Sequence, residues 1–370
     1  MTGRMGAEHT SGQVSHRPHH GAPGQTMPCG SRGQTIPAFP GPRRLREREL
    51  CPVKGPRALV LVENPHAGRG TAGLRQAYEA IRRAGLPVRE TIPVHELARL
   101  RPWLERPAAE RPLIVAAGGD GTVGAVADYM AHTDGVLGIL PLGTSNDVAR
   151  SLDIPLRIEQ AVGLLASGPV STVDLGQFIA PDARPRHFVH AAALGASVAF
   201  ARVATRVSVR KRLGRLTYMV AAALALRERE VFRCTLFVEG RRKPLDLLHL
   251  SVINAPVFGG FFSLRLRGSD VDDRRLDVLA IENVSLPRLV LAALLIVLRT
   301  PPRVGGVHLY HVRHLRVHVA QPVGVSLDGE VTGHVPGDFV LAGEALRVVT
   351  GPRFVGVDDD DTSSNHEAVS

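Results

Sequence analysis

The chain has 370 residues, 44% of them apolar, enough for two domains with cores of their own. Aromatic residues make up only 4%, with a single Trp103, which argues against a base-stacking nucleic-acid surface. The net charge of +10 favours anionic partners such as phosphates, nucleotides or anionic lipid, without choosing among them.

Residues 1–55 are rich in Gly, Pro, His and Arg, have no periodicity and read as a disordered basic tail. They lack the apolar core of a secretory signal, and Cys29, Cys51 and Cys234 form no CxxC pair, so a reducing, cytoplasmic setting is expected. Residues 56–168 then alternate strand and helix. ALVLVENP, LPVRET, PLIVAAGG and VLGILPLG read as strands, the third as a buried parallel one. Thr71–Ala84 is predicted helical, with Leu74, Ala77, Tyr78 and Ile81 on one face, as are Val94–Leu104 and Thr122–Ala131. This is the pattern of a doubly wound, mostly parallel α/β domain.

Residues 169–352 change character. HFVHAAALG, CTLFVEG, DLLHLSVIN, RLDVLAIEN, HLRVHVA and GVSLDGE are short strands, interrupted by helical stretches at Leu213–Glu230 and Leu286–Leu298. A β-rich sandwich is expected there. Residues 353–370 read as a disordered acidic tail. The longest apolar run, Leu289–Leu298, is short of the ~20 residues that span a bilayer.

Two loops match GxGxxG. Gly68, Gly70 and Gly73 follow the first strand, with Glu90 downstream in the position of a ribose-binding acid. Four residues from Asn64 to Ala67 intervene between strand and glycine, however, and Pro65 has no N–H to donate, so nicotinamide binding is not favoured. The second loop, Gly118-Gly119-Asp120-Gly121-Thr122, opens onto a helix N-terminus, where backbone amides suit a phosphate. Asp120 there either contacts a metal, organises the loop or caps the helix. A third polar loop, Pro141-Leu142-Gly143-Thr144-Ser145-Asn146-Asp147, ends the fourth strand. All three loops fall at the carboxyl edge of the sheet, where open α/β sheets bind ligands.

The order NPxxGxG, GGDGT, PLGTxNDxAR and, far downstream, LDGE resembles the diacylglycerol kinase catalytic family, which includes bacterial lipid kinases and sphingosine kinases. The resemblance implies an α/β nucleotide domain, a C-terminal β-sandwich and an active site in the cleft between them. It implies an ATP site at Asn64, Gly118, Gly119, Asp120, Gly121, Thr122, Val123 and Thr144, with Gly68, Gly70, Gly143, Asn146 and Asp147 in the same loops and Thr91 on the second strand. It also implies a Mg²⁺ site at Asp273, with Asp270 and Arg275 contributing backbone carbonyls. Gly124 departs from the Asn that commonly follows GGDGT, His190 from a common strand Asn, and Arg274 from the Gly of DGxLDV.

Phosphoryl transfer to a hydroxyl needs positioned phosphates, offset charge and a base. Asp328 and Glu330 of LDGE are the candidate catalytic residues, with Asp328 favoured as base, Glu330 as its partner, and the roles exchangeable. On residue types alone the DG pair also reads as a hairpin turn. The function expected is an ATP-dependent lipid kinase; an NAD kinase, or a binding protein without turnover, are the alternatives. Arg202, Arg206 and Arg210 recur every four residues, which reads first as a solvated basic face of a helix and, as the alternative, as peripheral docking to an anionic inner membrane face. His308, His311, His314 and His318 do not have a zinc spacing and are expected on a strand surface. The acceptor lipid and the oligomeric state are not readable from the sequence.

Overall fold

The computed structural model describes residues 57–65, 68, 70–181, 183–195, 231–255, 257–258, 264–265, 275–285, 287–288, 291, 295 and 304–354. The basic tail, the acidic tail after its first two residues 353–354, the predicted helix Leu213–Glu230, the basic series from Arg202, and Asp270 and Asp273 fall outside the described residues.

The first half begins with β1 (Leu59–Glu63), α1 (Gly70–Arg83) and β2 (Val88–Pro93). A 3-10 segment, Val94–Leu100, broken at Glu96, then runs into the short α2 (Arg101–Leu104), so the single helix expected over this stretch is two pieces. β3 (Leu113–Gly118), α3 (Asp120–Met130), β4 (Val136–Pro141), α4 (Asp147–Ser151) and α5 (Ile158–Ser167) follow. β2, β1, β3 and β4 lie side by side and parallel, as the continuous apolar runs require. β1 and β3 are buried almost throughout. α1 packs Leu74, Ala77 and Ile81 inward, whereas Tyr78 stays at the rim, its hydroxyl donating to Glu63 Oε2 at 2.9 Å and 3.0 Å from Thr91 Oγ1.

The second half is β5 (Val170–Ile179), β6 (Arg186–Phe188), β7 (Ala191–Gly195), β8 (Phe232–Val238), β9 (Arg241–Ile253), β10 (Val257–Phe258), β11 (Leu264–Arg265), β12 (Leu276–Glu282), β13 (Val307–Val312), β14 (His314–Val319), β15 (Val323–Leu327), β16 (Glu330–Val335) and β17 (Gly337–Val349). Most of these strands pair antiparallel in the order β16-β15-β7-β9-β8-β14-β17. They enclose a second core around Phe178, Phe188, Leu236, Val278 and Phe339.

The halves are joined through β17. Its start pairs with β14, its length with β5, and its end runs parallel to β4 at Arg347 and Val348. Val173, Leu175, Leu346, Val348 and Val349 accordingly lie in the first core, beside Leu137 and Ile139. One sheet path therefore runs through both halves, and β7, β15 and the turn into β16 belong to the same framework as the glycine loops.

Candidate active site

The three polar loops meet, and glycine lets them. A Cβ on Gly68 would lie 2.7 Å from Thr144 Oγ1, and one on Gly143 would lie 2.5 Å from Gly119 Cα. Asn64 Nδ2 donates to Thr122 Oγ1 at 3.3 Å, linking the first loop to the second. In the third loop Asn146 adopts φ +52°; its Oδ1 accepts from Gly143 N at 2.9 Å and its Nδ2 donates to Gly143 O at 3.1 Å. Asp120 does not cap its own helix, whose N-cap is Gly119. Its Oδ1 accepts from Val148 N at 3.0 Å, at the start of α4. Asp120 therefore organises the loops by tying the second to the third.

The first amides of a helix have no acceptor within it. In α3 the bond from Val123 N to Gly119 O closes the first turn, so Asp120, Gly121 and Thr122 carry the unpaired N–H groups of an anion-binding end. Val123 itself is buried in the first core. Thr91 stands on the edge strand β2 opposite Leu61, with its hydroxyl beside Tyr78. Glu90 is engaged by Trp103 Nε1 at 2.6 Å and Arg99 at 2.5 Å, which accounts for it without a ribose.

LDGE comes down on this arrangement as a two-residue hairpin turn. Asp328 and Gly329 have φ of +48° and +90°, and Leu327 pairs with Glu330 across them. Turn and site coincide, so Asp328 and Glu330 do not share a strand face by alternation: Asp328 is in the turn and Glu330 opens β16. Their surroundings differ sharply. Asp328 is 9% exposed, and its carboxylate is held by three consecutive amides: Val189 N to Oδ2 at 2.9 Å, His190 N to Oδ1 at 2.8 Å and Ala191 N to Oδ1 at 3.0 Å. Its own N–H donates to Ala191 O at 2.9 Å. Burial pushes its pKa up to about 6, while the His190 charge and the three amides pull the other way. Glu330 is exposed, and a Cβ on Gly121 would lie 3.6 Å from its Oε1. The Asp328 side chain lies directly over Gly124: a Cβ there would overlap Oδ2 and lie 2.7 Å from Asp328 Cβ. His190 Nε2 faces Asp147 Oδ2 at 4.0 Å, and both side chains are largely buried.

Among the described residues no group of three or more His, Cys, Asp or Glu side chains could hold a metal ion. Of the residues implied for Mg²⁺, Arg275 is exposed just before β12, and Asp270 and Asp273 are not among those described.

Residues 57–178 match the family model of the diacylglycerol kinase catalytic domain, and residues 191–350 match the YegS C-terminal NAD kinase beta sandwich-like domain. The chain belongs to the diacylglycerol kinase catalytic family. Its relatives include a diacylglycerol kinase of Bacillus subtilis, 26% identical over 65% of this chain and 78% of that protein. A Xanthomonas campestris protein named as a YegS-like lipid kinase is 35% identical over 40% of this chain and 49% of its own. A crystal structure of a diacylglycerol kinase from Bacillus anthracis str. Sterne superposes with a TM-score of 0.56 at 17% identity, covering 81% of this chain and 98% of that one, a likeness of fold.

Within this family frame, two features carry more of the site than the motifs disclose. One is the run of amides Val189–Ala191 that holds Asp328, which no side-chain pattern marks. The other is Asp128, a carboxylate on the buried face of α3; its polarity within the apolar stretch AVADYM is the signal that could have singled it out. The histidines of β13 and β14 do not cluster. His308 pairs with Glu282 at 2.6 Å, His314 with Asp338 at 2.6 Å, and His311 with Asp277. Cys234 is buried, and burial pushes its thiol up to about 12, so it is inert.

Proposed function

We propose that this lipid kinase family member transfers the γ-phosphate of ATP to a hydroxyl of a lipid acceptor such as diacylglycerol. The observation that carries the reading is the seating of the Asp328-Gly329 turn on the GGDGT helix, which brings Glu330 against Gly121. ATP phosphates would lie on the amides of Gly119–Thr122, with Asn64, Gly68, Gly70, Gly143, Thr144, Asn146 and Asp147 shaping the loops and Thr91 contributing from β2.

Glu330 is the base in this proposal, and Asp328 holds the turn. A base needs a free lone pair within hydrogen-bond reach of the acceptor proton. Asp328 gives three of its roughly four acceptor sites to amides and is buried, although a pKa of about 6 would suit a base working near neutrality. Reach comes before acidity, and Glu330 is the carboxylate with access. Glu330 takes the acceptor's hydroxyl proton as that oxygen bonds to the γ-phosphorus, and ADP leaves with the electrons of the broken P–O bond. Mg²⁺, held by Asp270, Asp273 and Arg275 in this proposal, would supply charge neutralisation on the phosphates. The acceptor lies in a membrane, so the working location proposed is the cytoplasmic face, with peripheral contact; no described helix is long and apolar enough to cross a bilayer.

The reading is tested with γ-labelled ATP and Mg²⁺, offering diacylglycerol, phosphatidylglycerol, a sphingoid base and a polyprenol in mixed micelles, and NAD in solution. Label in an organic-extractable product supports it and identifies the acceptor; label on NAD alone, or ATP binding without transfer, overturns it.

A further inference from the structure

Outside the glycine loops, a dense polar cluster is built on Asp128. This side chain is 5% exposed, on the inner face of α3. Its Oδ1 accepts from His187 N at 2.7 Å and lies 3.1 Å from His187 Nδ1. Its Oδ2 accepts from Arg186 Nε at 2.7 Å and Arg184 Nη2 at 3.1 Å. Burial alone would raise the pKa of Asp128, but the His187 bonds and Arg186 outweigh it and hold the carboxyl down at about 2. The other ring nitrogen of His187 is 2.9 Å from Gln177 Nε2.

The stretch that Asp128 grips continues directly into the amides that grip Asp328. His187 N goes to Asp128; Val189, His190 and Ala191 N go to Asp328. Between them Phe188 is fully buried against Gly176, where a Cβ would collide with its ring. On the carbonyl side Asn254 holds Val189 O through Nδ2 at 2.9 Å and His190 O through its backbone N at 2.9 Å. The same helix closes the circuit: Gly124 and Asp128 are four residues apart, one turn of α3, and so share a face. Gly124 meets the Asp328 carboxylate and Asp128 meets the strand that cradles it.

A buried ion pair is not by itself a source of stability, since well-packed apolar residues often serve as well. What a carboxylate with four directed contacts supplies here is geometry. We propose that Asp128 is a positioning residue for phosphoryl transfer: it fixes the 187–191 stretch that holds the Asp328 turn, and so sets where Glu330 stands relative to the GGDGT loop. The inference rests on the kinase reading above. The hydrogen-bond partners of Asp128 are Arg184, Arg186 and His187 rather than the phosphate loops, so its loss moves the base and leaves nucleotide binding in place.

Asp128→Asn tests this in the full chain, with two readouts. A base displaced by about 1 Å costs up to 10²-fold, so kcat is expected to fall about 10- to 100-fold while KM for ATP stays within about twofold. Independently of turnover, hydrogen exchange at the amides of Val189–Ala191 is expected to quicken at least tenfold while exchange in β3 stays unchanged. Arg186→Gln, a milder cut in the same network, is read the same way should Asp128→Asn not accumulate, with a severalfold fall in kcat. Unchanged exchange at 189–191 in the folded variant overturns the proposal, as does full kcat per folded molecule with only a lowered Tm. If the wild type transfers no phosphate to any acceptor, the kinase reading fails, and the exchange result still decides whether Asp128 positions the turn.

Discussion

Replacing Glu330 by Gln keeps the side chain's size and its approach to Gly121 but removes the proton acceptor. The expected loss is about 10²- to 10⁴-fold in kcat, the usual range for a general base, at unchanged Tm and unchanged ATP affinity. Asp328→Asn should behave differently, because an amide cannot accept three N–H bonds without turning its own N–H₂ toward one of them. That variant is expected to lose thermal stability together with turnover, and paired melting and rate measurements separate the two roles. At Gly124 the space is already filled by the Asp328 carboxylate, so Gly124→Ala should cost about 1–3 kcal/mol through overpacking. A denaturant midpoint equal to wild type would show that the turn does not sit there. At this scale the sequence marked Asp328 and Glu330 and favoured Asp328 as the base, the reverse of the roles proposed above. The sorting depends on which backbone amides arrive from Val189–Ala191, and amides leave no trace in residue identity.

α3 carries the site from both its ends. Its N-terminal turn presents the amides of Asp120–Thr122, and its inner face presents Gly124 and Asp128. Asp128 makes a pH signature available. Its carboxyl is held at about 2, below its value of 3.8 in an unfolded chain, so the stabilisation is fully present above pH 4 and is lost as pH falls through 2. A depression of this size corresponds to about 2 kcal/mol. The Tm gap between wild type and Asp128→Asn should therefore be wide at pH 7 and narrow at pH 2.5; a gap that does not change with pH would mean that the charge contributes nothing. The strands of the first half and its helices α1 and α3 were legible, because apolar runs and glycine loops are local signals. The break at Glu96 was not, since the residues from Val94 to Leu104 keep helical spacing through it. Tyr78 was misplaced for a related reason: spacing put it on the apolar face, while its hydroxyl is drawn to Glu63 and Thr91.

For the molecule as a whole, the sequence suggested an α/β domain and a β-rich domain, and both are present. It did not suggest that β17 leaves the second half to lie parallel to β4, because pairing between strands some 200 residues apart has no local pattern. That shared strand, with β5 beside it, ties the Asp328 turn to the glycine loops through one framework. It also explains how carboxylates from distant parts of the chain come to grip adjoining pieces of one stretch, Asp128 at Arg184, Arg186 and His187 and Asp328 at Val189, His190 and Ala191. The motifs GGDGT, PLGTSND and LDGE mark segments that meet in the fold, and the connecting framework holds them in register.

The most direct test is a single-turnover reaction of the full chain with γ-labelled ATP, Mg²⁺ and diacylglycerol in mixed micelles, run beside Glu330→Gln. The account predicts label in a chloroform-soluble phosphorylated lipid from the wild type, and at least a 100-fold slower burst from a variant that binds ATP equally well. Equal bursts from both proteins, or ATP bound with no lipid labelled, would contradict it.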